Sequence, residues 1–125
     1  MTARVVIADD DADIRGLIRI SCVKAGMEIV AEVGDGTSAL EAVARDRPDL
    51  VILDVSMPKM SGLEVCRHVR ERAELDDVRI LLLSASVDEN AIRLGLAAGA
   101  SAYLAKPFSP RELVASIVEQ VGTQR

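Results

Sequence analysis

Short aliphatic runs alternate with amphipathic helical patterns along the whole chain. The runs occupy residues 5–8, 28–33, 50–53, 80–83 and 102–105, and after each one apolar residues recur at three- and four-residue spacing. Five such alternations predict a parallel sheet with helices on both faces, because parallel strands need crossover connections. The runs at 50–53 and 80–83 are aliphatic at every position, as strands covered on both faces must be. The run at 28–33 carries Glu28 and Glu32 among Ile29, Val30, Ala31 and Val33, which is the composition of a sheet margin.

The residues between the runs mark where helices begin and end. Asp9, Asp10 and Asp11 close the first run and open the first helix, where acids complement the positive end of the helix dipole. Asp11 is expected as the helix-start residue of the three. Ile14, Leu17, Ile18 and Ser21 share one face of that helix, and Gly26 is placed to end it. Asp35-Gly36-Thr37-Ser38 turns into a second helix with Leu40, Val43 and Ala44 inward, and Pro48 breaks the chain before the third strand. Ser61-Gly62-Leu63-Glu64 is a capping box. The helix it opens is expected to reach about residue 72, with Leu63, Val65, Cys66 and Val69 toward the sheet and Arg67, Arg70, Glu71 and Arg72 in water. Residues 71–77 are expected to be a solvated loop. The fourth helix, residues 88–98, is alanine-rich and interrupted by Gly95, so a shallow packing face and modest stability are expected. Ser109-Pro110-Arg111-Glu112 starts the fifth with a second capping box and proline at its first position. Leu113, Val114, Ile117, Val118 and Val121 form its apolar stripe. These elements make one domain over residues 1–121, and 122–125 are expected to be a tail or the start of a linker.

Composition narrows the function. A chain of 125 residues, half of them hydrophobic, buries roughly two thirds of its unfolded surface and needs no disulfide or metal to hold it. Cys22 and Cys66 sit in separate helical patterns with no C-x-x-C or Cys/His spacing, so they are expected to be ordinary packed thiols. The net charge of -5, with no lysine or arginine block, argues against direct nucleic-acid binding by this domain. No apolar run approaches the ~18 residues of a membrane span and no signal-peptide pattern opens the chain, so a cytoplasmic, non-membrane protein is expected. His68, among Arg67, Val69 and Arg70, is expected to be a surface side chain.

The candidate chemistry gathers at the strand ends. In open parallel sheets ligands bind beyond the carboxyl ends of the strands. Asp9 and Asp10 end the first run, Asp54 the third, Ser84 the fourth, and Lys106 the fifth, so all five are expected at one rim. Carboxylates crowded together repel and are commonly reconciled by a cation. Oxygen donors without histidine or cysteine favour a hard ion such as Mg²⁺. A carboxylate nucleophile beside Mg²⁺, a lysine and a hydroxyl is equipped for phosphoryl transfer, with an aspartyl phosphate on Asp54 as product.

Four motifs carry a family likeness: V-V-I-A-D-D at 5–10, L-D-V-S-M-P-K-M-S-G at 53–62, L-L-L-S-A at 81–85 and Y-L-A-K-P-F at 103–108. In order and spacing they cover essentially the whole chain, which resembles the receiver domain of two-component response regulators. The resemblance implies a flavodoxin-like doubly wound (βα)5 sandwich, a five-stranded parallel sheet of order 2-1-3-4-5. It also implies that Asp54 accepts a phosphoryl group from a sensor histidine kinase, a phosphotransfer protein or a small phosphodonor. Asp10 would bind Mg²⁺ directly, Asp9 mainly through water, and Ser56 through its backbone carbonyl. Ser84 and Lys106 would contact the phosphoryl oxygens, and Tyr103 would be an aromatic switch that turns inward as Ser84 is drawn to the phosphate. A cis Lys106-Pro107 bond is implied too. The fourth helix, fifth strand and fifth helix would form the surface read by an output domain or a separate target protein. A homodimer through the last two helices is compatible with the charges there.

The chain departs from the common pattern at Ser61, where the family often has aspartate, and in the third acid, Asp11. Two other functions remain in view. A Mg²⁺-dependent phosphatase would use similar chemistry, but the haloacid-dehalogenase hydrolases it resembles carry an acid two residues beyond the nucleophile, where this chain has Ser56. The other is an interaction module that keeps the fold without being phosphorylated.

Overall fold

The computed structural model describes residues 2–86 and 88–122. Five strands, β1 (Arg4–Ala8), β2 (Glu28–Val33), β3 (Leu50–Asp54), β4 (Arg79–Ser84) and β5 (Ala102–Ala105), alternate with five helices. The helices are α1 (Ala12–Lys24), α2 (Gly36–Asp46), α3 (Gly62–Arg70), α4 (Glu89–Ala97) and α5 (Pro110–Val121). All strand pairs are parallel, as the alternation predicts, and their order is β2-β1-β3-β4-β5, the doubly wound sheet that the resemblance implies.

The two-residue period of the strands splits the core into two layers. Val6, Ala8, Val51, Leu53, Ile80 and Leu82 face α2 and α3, meeting Ala39, Val43, Val65 and Val69. Their neighbours Val5, Ile7, Leu50, Ile52, Leu81 and Leu83 face α1 and α5, meeting Ile18, Cys22, Leu113 and Ile117. Every residue of β3 is buried, and each large aliphatic side chain so buried contributes about 1.5–3 kcal/mol. Asp54 is therefore the last residue of a strand that is buried along its whole length. β2 forms one margin with Glu28 and Glu32 exposed, as its composition predicts.

Local chemistry sets the helix ends. Asp11 caps α1 by accepting from the N–H groups of Asp13 and Ile14, at 2.8 and 3.3 Å. Gly26 follows that helix with φ 79°, a conformation glycine adopts without penalty. Both capping boxes are formed, at Ser61 with Glu64 and at Ser109 with Glu112. The Lys106-Pro107 peptide is cis. The helical series closes at Val121, and residues 123–125 of the expected tail lie outside the described residues. Among the described residues no helix is long and apolar enough to cross a membrane.

Three expectations need correction. The fully buried face of α2 is Ala39, Ala42 and Val43, while Leu40 and Ala44 are only half-buried. Small alanines let the helix lie close to the sheet, and the larger Leu40 is left at the flank. α3 ends at Arg70, a single 3-10 turn follows at Ala73–Leu75, and Leu75 is only 1% exposed. The connection expected to be solvated thus contributes a core residue. Arg70, expected in water, folds back instead. Its Nε donates to the Gly99 carbonyl at 2.9 Å and its Nη1 to those of Leu75 and Asp76 at 3.3 and 3.4 Å. One side chain so ties α3, the turn after it and the α4–β5 connection.

Both cysteines are buried, and burial pushes their thiols up, to about 12 for Cys22 and about 11 for Cys66. Since the thiolate is the reactive form, both should react with a disulfide reagent at least ~100-fold more slowly in the native protein than in denaturant. Rapid native-state modification, followed by absorbance, would contradict this packing.

Candidate functional site

The parallel register brings the strand ends to one rim. Ala8 pairs with Leu53, Asp54 with Leu83 and Ser84 with Ala105, so the residues that follow β1 and β5 flank the end of β3. Oxygens of Asp9, Asp10 and Asp54 all lie within 4.8 Å of one another. Lys106 enters from β5 and places Nζ 2.9 Å from Asp9 Oδ2 and 3.3 Å from Asp54 Oδ1. Asp9 is 0%, Asp54 5% and Ser84 7% exposed, while Asp10 stands in solvent.

The electrostatics follow from that burial. Asp54 is held above the usual carboxylate range, first by burial and next by the Asp9 charge, against the opposing pull of Lys106 and the Ser56 N–H. Burial alone would lower the Lys106 ammonium. Its hydrogen bond to Asp9 and the charges of Asp54 and Asp9 prevail, so its pKa is raised and the group stays protonated. Both Asp9 oxygens are engaged, Oδ1 by the Asp11 N–H at 2.9 Å and Oδ2 by Lys106. With all three acids ionised, three negative charges face one lysine and leave a surplus of two. Hard oxygen donors carrying that surplus suit a hard divalent cation.

The remaining expected residues occupy the same end of the sheet. The Ser56 N–H approaches Asp54 Oδ1 at 3.4 Å. Ser84 Oγ accepts from the Ser86 N–H at 3.1 Å. Tyr103 touches Ser86 rather than Ser84, its hydroxyl donating to the Ser86 carbonyl at 2.8 Å. Its ring lies against α4, where a Cβ on Gly95 would come within 3.0 Å of it. The glycine expected only to weaken α4 therefore also makes room for the tyrosine. His68 is on the surface, beside Glu71 at 3.1 Å.

Sequence reasoning missed several supports of the rim. Arg15 Nη1 donates to the Asp9 carbonyl at 2.6 Å. Gly62 opens α3 directly against the phosphoacceptor candidate, since a Cβ there would overlap the Asp54 carbonyl and come 3.0 Å from Val55 Cα. Gly36 opens α2 against the β3–α3 loop in the same way. The available signal was glycine at the first position of two helices, where a better helix former would otherwise be favoured.

Comparison with known proteins identifies the family. Residues 5–118 match the family model described as response regulator receiver domain. The chain is 43% identical over 117 residues to the DNA-binding response regulator MtrA of Mycobacterium tuberculosis, covering 94% of this chain and 50% of the relative. It is 46% identical over 114 residues to the response regulator MprA of Mycobacterium leprae, covering 91% and 49%. The chain thus spans about half the length of these curated relatives. Among solved structures it is similar to the chemotaxis response regulator CheY4 of Vibrio cholerae, with a TM-score of 0.90 and 31% identity over 97% of this chain and 100% of the other. It also resembles the receiver domain of AraT, a response regulator of Geobacillus stearothermophilus, with a TM-score of 0.83 and 35% identity over 97% and 96%. A rim of three clustered acids with an ammonium between two of them, on a sheet of order 2-1-3-4-5 and within a match of this extent, places the chain in the family of response regulator receiver domains of two-component signalling.

Proposed function

We propose that Asp54 is the phosphoacceptor, taking a phosphoryl group from a sensor histidine kinase, a phosphotransfer protein or a small phosphodonor. The observation that carries this reading is a nearly buried carboxylate at the end of the central strand with Lys106 Nζ 3.3 Å from its oxygen. A carboxylate Oδ of Asp54 attacks phosphorus, the bond from phosphorus to the donor's nitrogen or oxygen breaks, and an acyl phosphate remains. Asp9, Asp10 and Asp54, with the Ser56 carbonyl, would hold Mg²⁺, which when bound supplies positive charge to the phosphoryl oxygens. Lys106 neutralises the same oxygens from the β5 side, and Ser84 donates its hydroxyl to one of them. An apolar cleft of about 310 Å³ lined by Ile14, Leu17, Pro107 and Phe108 adjoins Lys106 and would give a protein donor a foothold beside the acceptor.

The domain works as a switch that promotes its own phosphorylation and dephosphorylation, not as a turnover enzyme. Ser84 moves toward the phosphoryl group, the Ser86 carbonyl moves with it, and the Tyr103 hydroxyl bonded to that carbonyl carries the change to α4 and β5. α4, β5 and α5 form the surface read by an output domain or target protein, with homodimerisation as one form of readout. Relatives of about twice this length are named DNA-binding regulators, so any DNA contact would belong to a part beyond the receiver. The setting is cytoplasmic. The phosphatase alternative needs an acid at the position of Ser56 and is set aside.

Incubation with acetyl phosphate and Mg²⁺ should add one phosphoryl group by intact mass, and EDTA should prevent it. No adduct with any donor would sink this reading. Rapid hydrolysis of many phosphoesters would restore the phosphatase.

A further inference from the structure

The loop from β3 to α3 carries Ser56 and Met57 past Asp54 and is fixed at both edges by glycines. On the inner edge the Gly62 N–H donates to the Val55 carbonyl at 2.9 Å, and a Cβ on Gly62 would strike Asp54. On the outer edge the loop turns at Lys59, whose φ is 69°. There the Pro58 carbonyl accepts from two donors, the Met60 N–H at 2.7 Å within the loop and the Gly36 N–H at 3.2 Å from α2. A Cβ on Gly36 would overlap the Met60 carbonyl oxygen, lying 2.5 Å from its carbon and 2.7 Å from Met60 Cβ. What it would meet is mainly backbone, so the loop itself would have to move. The neighbouring Asp35 adds to the hold, with Oδ2 at 4.0 Å from Lys59 Nζ while the same carboxylate caps α2 through Ser38. Met57 and Met60 pack on the core layer under α2 and α3, which leaves the loop little room to shift without disturbing that layer.

We propose that Gly36 is a positioning residue for phosphoryl transfer: by letting α2 touch the loop backbone, it fixes the height of Ser56 above Asp54. This inference rests on the reading of Asp54 as phosphoacceptor. Gly36 touches neither donor nor metal and acts only through the Pro58–Met60 backbone. Its lack of a side chain is what matters, because alanine would suit the helix better everywhere but here. Gly16 is the internal control, a helical glycine of α1 whose Cβ would find its nearest atom, Arg19 Nη1, 3.9 Å away.

The test compares Gly36→Ala and Gly16→Ala with the unaltered chain, each measured for cooperative melting, for Mg²⁺ affinity by calorimetry and for adduct formation rate at saturating acetyl phosphate. For Gly36→Ala the rate per folded molecule should fall at least tenfold and Mg²⁺ binding should weaken by a similar factor. Gly16→Ala should change neither. A folded Gly36→Ala with unaltered rate and Mg²⁺ affinity, only a lower melting point, would reduce the glycine to a structural role and overturn the proposal. If Gly36→Ala does not fold, amide exchange in the unaltered chain decides. The Gly36 N–H should exchange severalfold more slowly once Mg²⁺ and beryllofluoride order the loop, and unchanged exchange overturns the proposal. Should the unaltered chain take up no phosphoryl group, the Asp54 reading fails instead, and Gly36 exchange with Mg²⁺ alone still tests the loop contact.

Discussion

Asp54→Asn is expected to gain no phosphoryl group under conditions that convert the unaltered chain fully, and to melt at a higher temperature in EDTA at neutral pH. The first effect is the loss of the proposed nucleophile, since an amide oxygen does not form the acyl phosphate. The second follows from the direction of the Asp54 pKa, which burial and then the Asp9 charge hold above the ordinary 3.8. An acid whose native pKa is raised contributes stability that is fully present below its unfolded value and is lost as pH rises through the native one. Keeping a charge on Asp54 in this setting therefore strains the fold, and asparagine, of the same shape, removes that cost. The two proteins should melt alike below pH 3.8, and the variant should lead by a few degrees once pH has passed the native value. Intact mass and calorimetric melting across pH check both parts. An adduct on the variant would place the acceptor elsewhere, and equal melting at neutral pH would show that Lys106 already offsets the repulsion.

Lys106→Met carries the next largest expectation, and it divides differently. The ammonium lies 2.9 Å from a fully buried Asp9 oxygen and 3.3 Å from Asp54. Methionine keeps much of the stem's bulk but leaves two acids facing each other with nothing between them. Loss of one preorganised cation at the reacting oxygens is expected to slow adduct formation by about 10²–10³-fold. Breaking a fully buried pair costs about 3–5 kcal/mol. The lysine is 20% exposed, so solvent reduces the cost here to on the order of 1–3 kcal/mol. Unlike Asp54→Asn, this variant should lose both rate and stability. Urea unfolding and time-resolved mass measurement separate the two, and a near-normal rate would remove Lys106 from the phosphoryl site.

The rim was legible in the sequence because each of its residues directly ends an apolar run, so placing the strands also placed Asp9, Asp54, Ser84 and Lys106. The strand order was legible only through resemblance, since nothing in the runs themselves says which neighbours which. What stayed hidden depends on distances between elements. Leu40 looked more suited to the core than Ala39 or Ala42, yet close helix–sheet packing favours the smaller residues. Arg70 falls in the charged series Arg67, Arg70, Glu71 and Arg72 and reads as a wet side chain, until the turn at 73–75 offers it carbonyl groups. Gly36 and Gly62 looked like parts of a turn and a cap. Their meaning lies in the backbone on the far side of each, which no local pattern reveals.

Arg70 also moors one end of α4. Its bond to the Gly99 carbonyl grips the segment just beyond the C-terminal end of the helix, while the opposite end hangs from Asp88 and the Tyr103 contact at Ser86. One end is moored and the other is attached to the segment that would respond in the proposed switch. If α4 is displaced, that mooring favours a swing about Gly99 over a slide. The helix is about 13 Å long, so a tilt of roughly 10° would carry its first turn about 2 Å. Leu96, next to the pivot, would barely stir, and a partner that gripped α4 near Asn90 would sense a motion that one resting on Leu96 would miss.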